Sequence, residues 1–156
     1  MASTTANGVP MTSVTLELNG ADHYYFQAED AKSNSIRIDA NESAENTNLG
    51  LRPMQLLLMA LGGCSGVDVI SILKKQKQPV TQLHITINGE RDNKVPSPWK
   101  TVHVIFNFEE GIDEQKCLRA CSLSLDKYCS VAETLRLAGA TITWQVVTGQ
   151  NRIHAS

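Results

Sequence analysis

The chain has 156 residues and a formal net charge of -2, with 42% hydrophobic and 19% charged residues. This composition is typical of one globular domain with a sizeable core, and it excludes a disordered chain or a strongly basic nucleic-acid-binding protein. The longest uninterrupted apolar run, Leu56–Leu61, is far shorter than the roughly 20 residues of a membrane span, so no membrane segment is expected. The first residues lack the basic and apolar stretches of a secretory signal, which favours a cytoplasmic location.

The N-terminal part of the chain is predicted to be a meander of short strands. Residues 1–10 are small and polar, and we expect them to be flexible. Residues 11–50 then form an arm in which apolar and polar side chains alternate with the period of a half-buried strand. The predicted strands are Val14–Leu18, His23–Ala28 and Ser35–Asp39, followed by a polar loop at 41–50.

A long helix is predicted from Pro53 to about Gln76. Proline suits the first turn of a helix, and the next proline is Pro79. Between Met54 and Leu61 only Gln55 is polar, which is the pattern of a helix surrounded by protein on all sides.

The C-terminal part, residues 80–148, returns to strands and shorter helices. We predict a hairpin of two strands around Leu83–Ile87 and Val102–Phe108, helices at Ile112–Leu125 and Val131–Ala138, and a last strand at Thr141–Val147. This order of elements predicts an α+β fold with mostly antiparallel sheets and a long central helix, formed by residues 11–156 as a single domain.

Cys64 lies among the glycines of Leu61-Gly62-Gly63-Cys64-Ser65-Gly66, in the middle of the long helix. Each interior glycine costs about 1 kcal/mol of helix stability, so the three glycines need a reason. Either they let a small molecule reach the sulfur, or they serve close packing and Cys64 is a core residue. A reactive thiol at this position would need a cation from elsewhere in the fold, and Arg37 and Arg52 are the candidates.

Cys129 has a different setting, because the Ser130-Val131-Ala132-Glu133 segment has the spacing of a capping box. Cys129 would then lie just outside a helix N-terminus, where N–H groups favour a thiolate. Alternatively, Cys129 and its neighbour Tyr128 form an apolar staple against the helix. The remaining pair, Cys117 and Cys121, is predicted to be core, because no nearby residues complete a zinc pattern.

Two segments, Arg52–Lys75 and Leu123–Val131, resemble the two cysteine motifs of the OsmC/Ohr family of osmotically inducible and organic hydroperoxide resistance proteins. The residues of the second segment are typical of the YhfA-like branch. The resemblance covers nearly the whole chain, from Met11 to Val147, in the order of the predicted elements. It implies an OsmC-like fold, an intertwined homodimer, and a site formed between subunits.

The resemblance also implies a thiol-dependent peroxidase in which Cys64 attacks an organic hydroperoxide and Cys129 resolves the resulting sulfenic acid. This chemistry needs an external dithiol reductant and no metal or organic cofactor. It also requires the Cα atoms of the two cysteines to lie within about 7 Å of each other.

The chain departs from the family pattern at the start of the long helix. Organic hydroperoxide resistance proteins usually carry a glutamate just after the helix-opening proline, partnering the arginine that activates the thiolate; here the residues are Met54 and Gln55. The family arginine is carried over onto Arg37, which Gln55 would hold through a weaker, neutral acceptor. The alternative function is therefore a non-enzymatic protein that binds a small lipophilic ligand or senses redox state. In the peroxidase, Trp99 and the apolar first half of the helix either line a pocket for alkyl or fatty hydroperoxides or belong to the core.

Overall fold

A computed structural model describes residues 11–20, 25–39, 50–149 and 151–154; the segment predicted to be flexible, 1–10, lies outside these ranges. The elements in chain order are β1 (Val14–Asn19), β2 (Tyr25–Asp30), β3 (Ser35–Ile38), α1 (Pro53–Lys75), β4 (Leu83–Arg91), β5 (Trp99–Phe108), α2 (Glu114–Leu123), a π-helical turn (Ser124–Tyr128), α3 (Ser130–Leu137), β6 (Thr141–Thr148) and β7 (Asn151–His154). The chain divides into two compact units, Met1–Leu56 and Leu57–Ser156.

The first unit contains the predicted meander, an antiparallel sheet in the order β1-β2-β3. Leu18 pairs with Phe26, which in turn pairs with Ile38, so these three side chains share one face of the sheet. Leu16 and Leu18 are 49% and 62% exposed. Among the residues that the structure describes, this apolar face of the small sheet is therefore largely exposed.

The second unit contains a four-stranded sheet in the order β4-β5-β6-β7. The predicted hairpin of β4 and β5 is confirmed, whereas β6 runs parallel to β5 because α2, the π-helical turn and α3 carry the chain back across the sheet. Strand β7, which pairs antiparallel with β6, was not predicted. Its sequence, Asn151-Arg152-Ile153-His154, has a single aliphatic residue and hence no alternating pattern.

The core of the second unit lies between one face of this sheet and the helices. Strand β5 buries Val102, Val104, Phe106 and Phe108, and β6 adds Trp144 and Val146. Helix α1 contributes Leu61, Val69 and Leu73 to the same cluster.

Helix α1 begins at Pro53 as predicted, but the part of the chain that the structure describes does not surround it. Met59 and Val67 are 50% and 72% exposed, because only one face of the helix packs on the sheet. In length and hydropathy α1 would suffice to cross a membrane. A core helix of a soluble domain meets the same criteria, and α1 buries five residues, Leu61, Ser65, Gly66, Val69 and Leu73.

Cys117 and Cys121 are core residues of α2, as predicted, and both are fully buried. Burial raises the pKa of Cys117 to about 11, and the nearby carboxylates of Asp113 and Glu114 act in the same direction. Burial, with a smaller contribution from Cys117, raises the pKa of Cys121 further. Both thiols therefore stay protonated, and unreactive, at neutral pH.

The unfolding free energy of the reduced protein is expected to fall as the pH rises from about 9 to about 11, in part because of Cys117. In the unfolded chain this thiol ionises near its ordinary pKa of 9.0, whereas the folded protein holds the proton up to about pH 11. The unfolded state then binds fewer protons than the folded state, which lowers stability by about 1.4 kcal/mol per pH unit for each such thiol. Urea unfolding across this pH range measures the slope.

The Cys117→Ala variant is the matched control, because all other titrating groups are shared with the parent protein. The unfolding free energy of this variant should fall less steeply with pH, and the difference in slope should equal the contribution of one thiol. Parallel curves for the two proteins would contradict the assignment.

Candidate thiol site

Folding brings Cys64 of α1 and Cys129 at the start of α3 together, as disulfide chemistry between them requires. The two thiols are in contact, and a side-chain hydrogen bond between them is among the causes that raise the pKa of Cys129. Both residues are free cysteines; Cys64 is partly exposed, whereas Cys129 is only 3% exposed. The site therefore pairs an accessible thiol with a buried one.

The glycines around Cys64 have two different roles. A Cβ atom added at Gly62 would lie 2.9 Å from Ile87 Cδ1, and one added at Gly66 would lie 2.9 Å from Ile85 Cδ1. These two glycines therefore let β4 pack closely on α1, which is the packing explanation. At Gly63 the Cβ position has no atom within 4 Å outside its local helix, among the residues that the structure describes. Close packing therefore does not explain Gly63.

Cys129 is itself the N-cap of α3, which corrects the predicted capping box by one residue. Its backbone is extended, and its Sγ accepts a hydrogen bond from the Ala132 N–H at 3.4 Å. Ser130 is the first helical residue and not the cap. The shift arises because the chain enters α3 from a π-helical turn, in which the Cys129 N–H donates to the Ser124 carbonyl at 2.8 Å.

The position at a helix N-terminus does not make Cys129 a thiolate. Burial raises the pKa of Cys129 to about 11, and the hydrogen bond to Cys64 and the charge on that residue raise it as well. The N–H groups of Ala132 and Val131 act in the opposite direction but are outweighed. Cys129 therefore remains protonated at neutral pH.

A groove of about 390 Å³ runs along the second half of α1. Asp68, Ile72 and Lys75 line it from α1, and Leu123 and Tyr128 line it from the opposite side. Asp68, Ile72 and Lys75 follow Cys64 at helical spacing, so they lie on the same face of α1 as the sulfur. The sequence had suggested the first half of the helix as a pocket wall.

Trp99, the other suggested wall residue, packs in the β-hairpin. Its ring lies 2.7 Å from the position that a Cβ atom would take at Gly89, and Leu58 Cδ1 lies 3.2 Å from the same position. Trp99 is thus partly buried against the core, which agrees with a role in packing.

The two other site residues expected from the sequence belong to the first unit. Arg37 lies in β3, with its guanidinium carbon 5.0 Å from the centre of the Tyr25 ring, a cation–π contact. Gln55 Oε1 accepts a hydrogen bond from the backbone N–H of Arg52 at 3.2 Å. This is the reciprocal bond of a capping box, so Gln55 stabilises the start of α1.

Three further residues around the cysteine pair were missed by sequence reasoning. Ser124 hydrogen-bonds to α1 through its side chain, Asp68 accepts one of those bonds, and Arg136 of α3 donates to the Leu125 carbonyl at 2.7 Å. Ser124 had been taken as part of an uninterrupted α-helix ending at Leu125. The contacts of Ser124 join residues 59 and 56 positions apart, so no local pattern in the sequence indicates them.

Comparison with known proteins places this geometry in a family. The family described as OsmC-like protein matches residues 44–145. Protein YhfA of Escherichia coli K12 is 34% identical over 124 residues, covering 78% of this chain and 90% of that protein. A hypothetical protein from Aquifex aeolicus VF5 is 30% identical, with a TM-score of 0.73, covering 90% of this chain and 98% of the other.

The organic hydroperoxide resistance protein OhrB of Bacillus subtilis shares the fold at 14% identity, with a TM-score of 0.63 and coverage of 87% of this chain and 97% of that one. The family match covers most of the chain, and the similarity to YhfA extends over nearly all of that protein. The chain is therefore a member of the OsmC-like family.

Proposed function

We propose that this protein is a thiol-dependent peroxidase that reduces organic hydroperoxides. The observation that carries the proposal is the hydrogen-bonded pair of an accessible thiol, Cys64, and a buried thiol, Cys129. Such a pair is suited to a two-step thiol cycle, because one sulfur meets the oxidant while the other is held in reserve beside it.

The environments of the two sulfurs assign their roles. Cys64 is partly exposed, so a peroxide oxygen can approach it. Cys129 is buried and its pKa is about 11, so it remains a thiol until the first step has occurred. Cys64 is thus the attacking cysteine and Cys129 the resolving cysteine.

The proposed reaction has three steps. The Cys64 thiolate attacks the terminal peroxide oxygen, the O–O bond breaks, and the alkoxide leaves and takes a proton to become the alcohol. The Cys129 thiol then condenses with the Cys64 sulfenic acid, forming the disulfide and releasing water. An external dithiol reduces this disulfide by two exchange steps and is itself oxidised to a disulfide, which restores both thiols. We place this cycle in the cytoplasm, where reductants of that class are maintained.

The relatives support a redox role in general terms. OhrB, which shares the fold, is an organic hydroperoxide resistance protein. At 14% identity its activity is not carried over by similarity alone, so the proposed substrate class also depends on the accessible sulfur of Cys64.

Peroxide consumption is expected to require Cys64. Reduced protein with cumene hydroperoxide and excess dithiol should consume peroxide, and Cys64→Ser should reduce the rate to background, because it removes the nucleophile. Cys129→Ser should still form a sulfenic acid that a trapping reagent labels on Cys64. The hydroxyl in this variant preserves a helix-capping group at position 129.

The Cys117→Ser variant is the matched control, since that thiol is buried in the core and should leave the rate unchanged. Equal rates of peroxide consumption in the parent and the Cys64→Ser protein would contradict the proposed peroxidase activity. They would favour the alternative of ligand binding or redox sensing. A sulfenic acid found only in Cys64→Ser would reverse the two roles.

Arg37 is our candidate for the cation that favours the Cys64 thiolate. Arg37→Gln is expected to slow oxidation of Cys64 at neutral pH by about tenfold, because less of the nucleophile is ionised. The difference from the parent should shrink as the pH rises and ionisation no longer needs the cation. Arg52→Gln is the control; a larger effect from Arg52→Gln would exchange the two assignments.

We also propose that the protein works as a homodimer that buries two apolar surfaces now exposed. On α1 the exposed surface includes Met59, Ala60, Gly63 and Val67, which recur at helical spacing. The second surface is the apolar face of the β1-β2-β3 sheet. Contiguous apolar surface of this kind is typical of an interface, and a second copy of the chain presents both surfaces in turn.

Val67→Glu is expected to convert the dimer to a monomer, because a carboxylate would be buried without a partner at the interface. Sedimentation at several concentrations measures the state. Leu137→Glu is the matched control. Leu137 is an isolated exposed apolar residue on α3, 81% exposed, so this variant should leave the dimer intact. A monomeric parent protein, or a dimeric Val67→Glu variant, would overturn this assembly.

A further inference from the structure

We propose that Ser124 and Asp68 are positioning residues for the resolving step, holding the Cys129 sulfur against Cys64. This inference depends on the proposed function, in which Cys129 condenses with the Cys64 sulfenic acid. Neither residue contacts the reacting atoms in our assignment. They act through the helical turn that presents Cys129.

The Ser124 side chain attaches the π-helical turn to the segment of α1 that carries Cys64. Its Oγ lies 3.2 Å from the Ser65 carbonyl oxygen and 3.1 Å from Asp68 Oδ2. Ser65 adjoins Cys64 in sequence, and Asp68 lies one helical turn further on. Ser124 is fully buried, so water does not compete for its hydroxyl proton.

The Ser124 main chain holds the other end of the same connection. Its carbonyl oxygen accepts the Cys129 N–H at 2.8 Å, which closes the π-helical turn. Ser124 therefore links the backbone of Ser65, next to the attacking cysteine, to the backbone of the resolving one, through its hydroxyl on one side and its carbonyl on the other. Loosening the hydroxyl contact would let the turn, and with it Cys129, move away from Cys64.

The outer side of the turn is held separately. Arg136 donates to the Leu125 carbonyl at 2.7 Å and lies 3.4 Å from Asp126 Oδ1, while Ser122 Oγ donates to Asp126 Oδ2 at 3.0 Å. These contacts stabilise the turn but do not reach α1. Ser122 thus offers the same side chain and the same type of acceptor as Ser124, without the link to Cys64.

Condensation of a thiol with a sulfenic acid is sensitive to placement, because the incoming sulfur must meet the Cys64 sulfur as water leaves. A displacement of about 1 Å can cost on the order of 100-fold in rate. The first step, attack of Cys64 on peroxide, does not involve the turn. Loss of the Ser124 hydroxyl should therefore slow disulfide formation and spare sulfenic acid formation.

The test follows both steps in a single turnover of the full-length reduced protein. One equivalent of cumene hydroperoxide is mixed with protein, samples are quenched, and mass spectrometry counts trapped sulfenic acid and disulfide. In Ser124→Ala, disulfide formation should slow by about 10- to 100-fold and sulfenic acid should accumulate on Cys64, with its rate of formation within about twofold of the parent. Ser122→Ala should match the parent in both steps.

A role in stability alone would lower the melting temperature of Ser124→Ala without changing the ratio of the two rates, and that result would overturn the proposal. Substitution of Asp68 provides an independent test that leaves the buried serine unchanged. Asp68→Ala should slow disulfide formation, whereas Asp68→Asn keeps a carbonyl acceptor and should restore most of the rate. Equal slowing in both Asp68 variants would count against the link.

Failure of the proposed peroxidase activity would be distinguishable from failure of this inference. If the parent protein consumes no peroxide, the azo oxidant diamide can replace it, since one thiol adds to diamide and the second displaces that adduct to form the same disulfide. The displacement step should still be slower in Ser124→Ala than in Ser122→Ala. Equal displacement rates would overturn the positioning role whatever the oxidant.

Discussion

The contact between the Cys129 and Cys64 thiols is the interaction on which the proposed chemistry of this protein depends. It requires a mid-helix residue and a helix-capping residue, far apart along the chain, to place their sulfurs side by side. Glycines at 62 and 66 let β4 pack closely on the helix that carries Cys64. On the other side, the π-helical turn directs the entry of α3 so that its first side chain faces Cys64.

The environment of Cys129 shows how burial outweighs a favourable helix end. A thiolate at an N-cap gains from the exposed N–H groups, and Cys129 accepts such a bond from Ala132. Desolvation nevertheless dominates, because the residue is almost completely covered. The two identical side chains therefore differ: Cys129 is covered and keeps its proton, whereas Cys64 packs against the core and stays partly exposed.

The sequence predicted the framework of this fold better than the details of the site. The proline at 53 and the alternating strands of the meander and hairpin are local patterns, and they correctly located α1 and the strands β1 to β6. The identity of the two cysteines came from family resemblance and not from spacing. The cap at Cys129 was misplaced by one residue because its position depends on the π-helical turn, which depends in turn on contacts of Ser124 with α1.

The same limit applies to the residues that support the pair. Asp68 and Ser124 are distant in sequence, and a single chain gives no reason to connect them before it is folded. Gln55 had been considered as a holder of an arginine side chain, but its carbonyl oxygen binds the backbone of Arg52, a local interaction that position N3 of a helix favours.

The π-helical turn restricts how the length of this region can change. Removal of a single residue from Ser124–Tyr128 would convert the π-helical turn into an ordinary α-helical turn. The residues that follow would then be rotated by about 100° around the helix axis. Cys129 would then point away from α1 although every other residue was retained. Homologous chains that keep both cysteines in contact should therefore tolerate substitutions in this stretch far better than insertions or deletions.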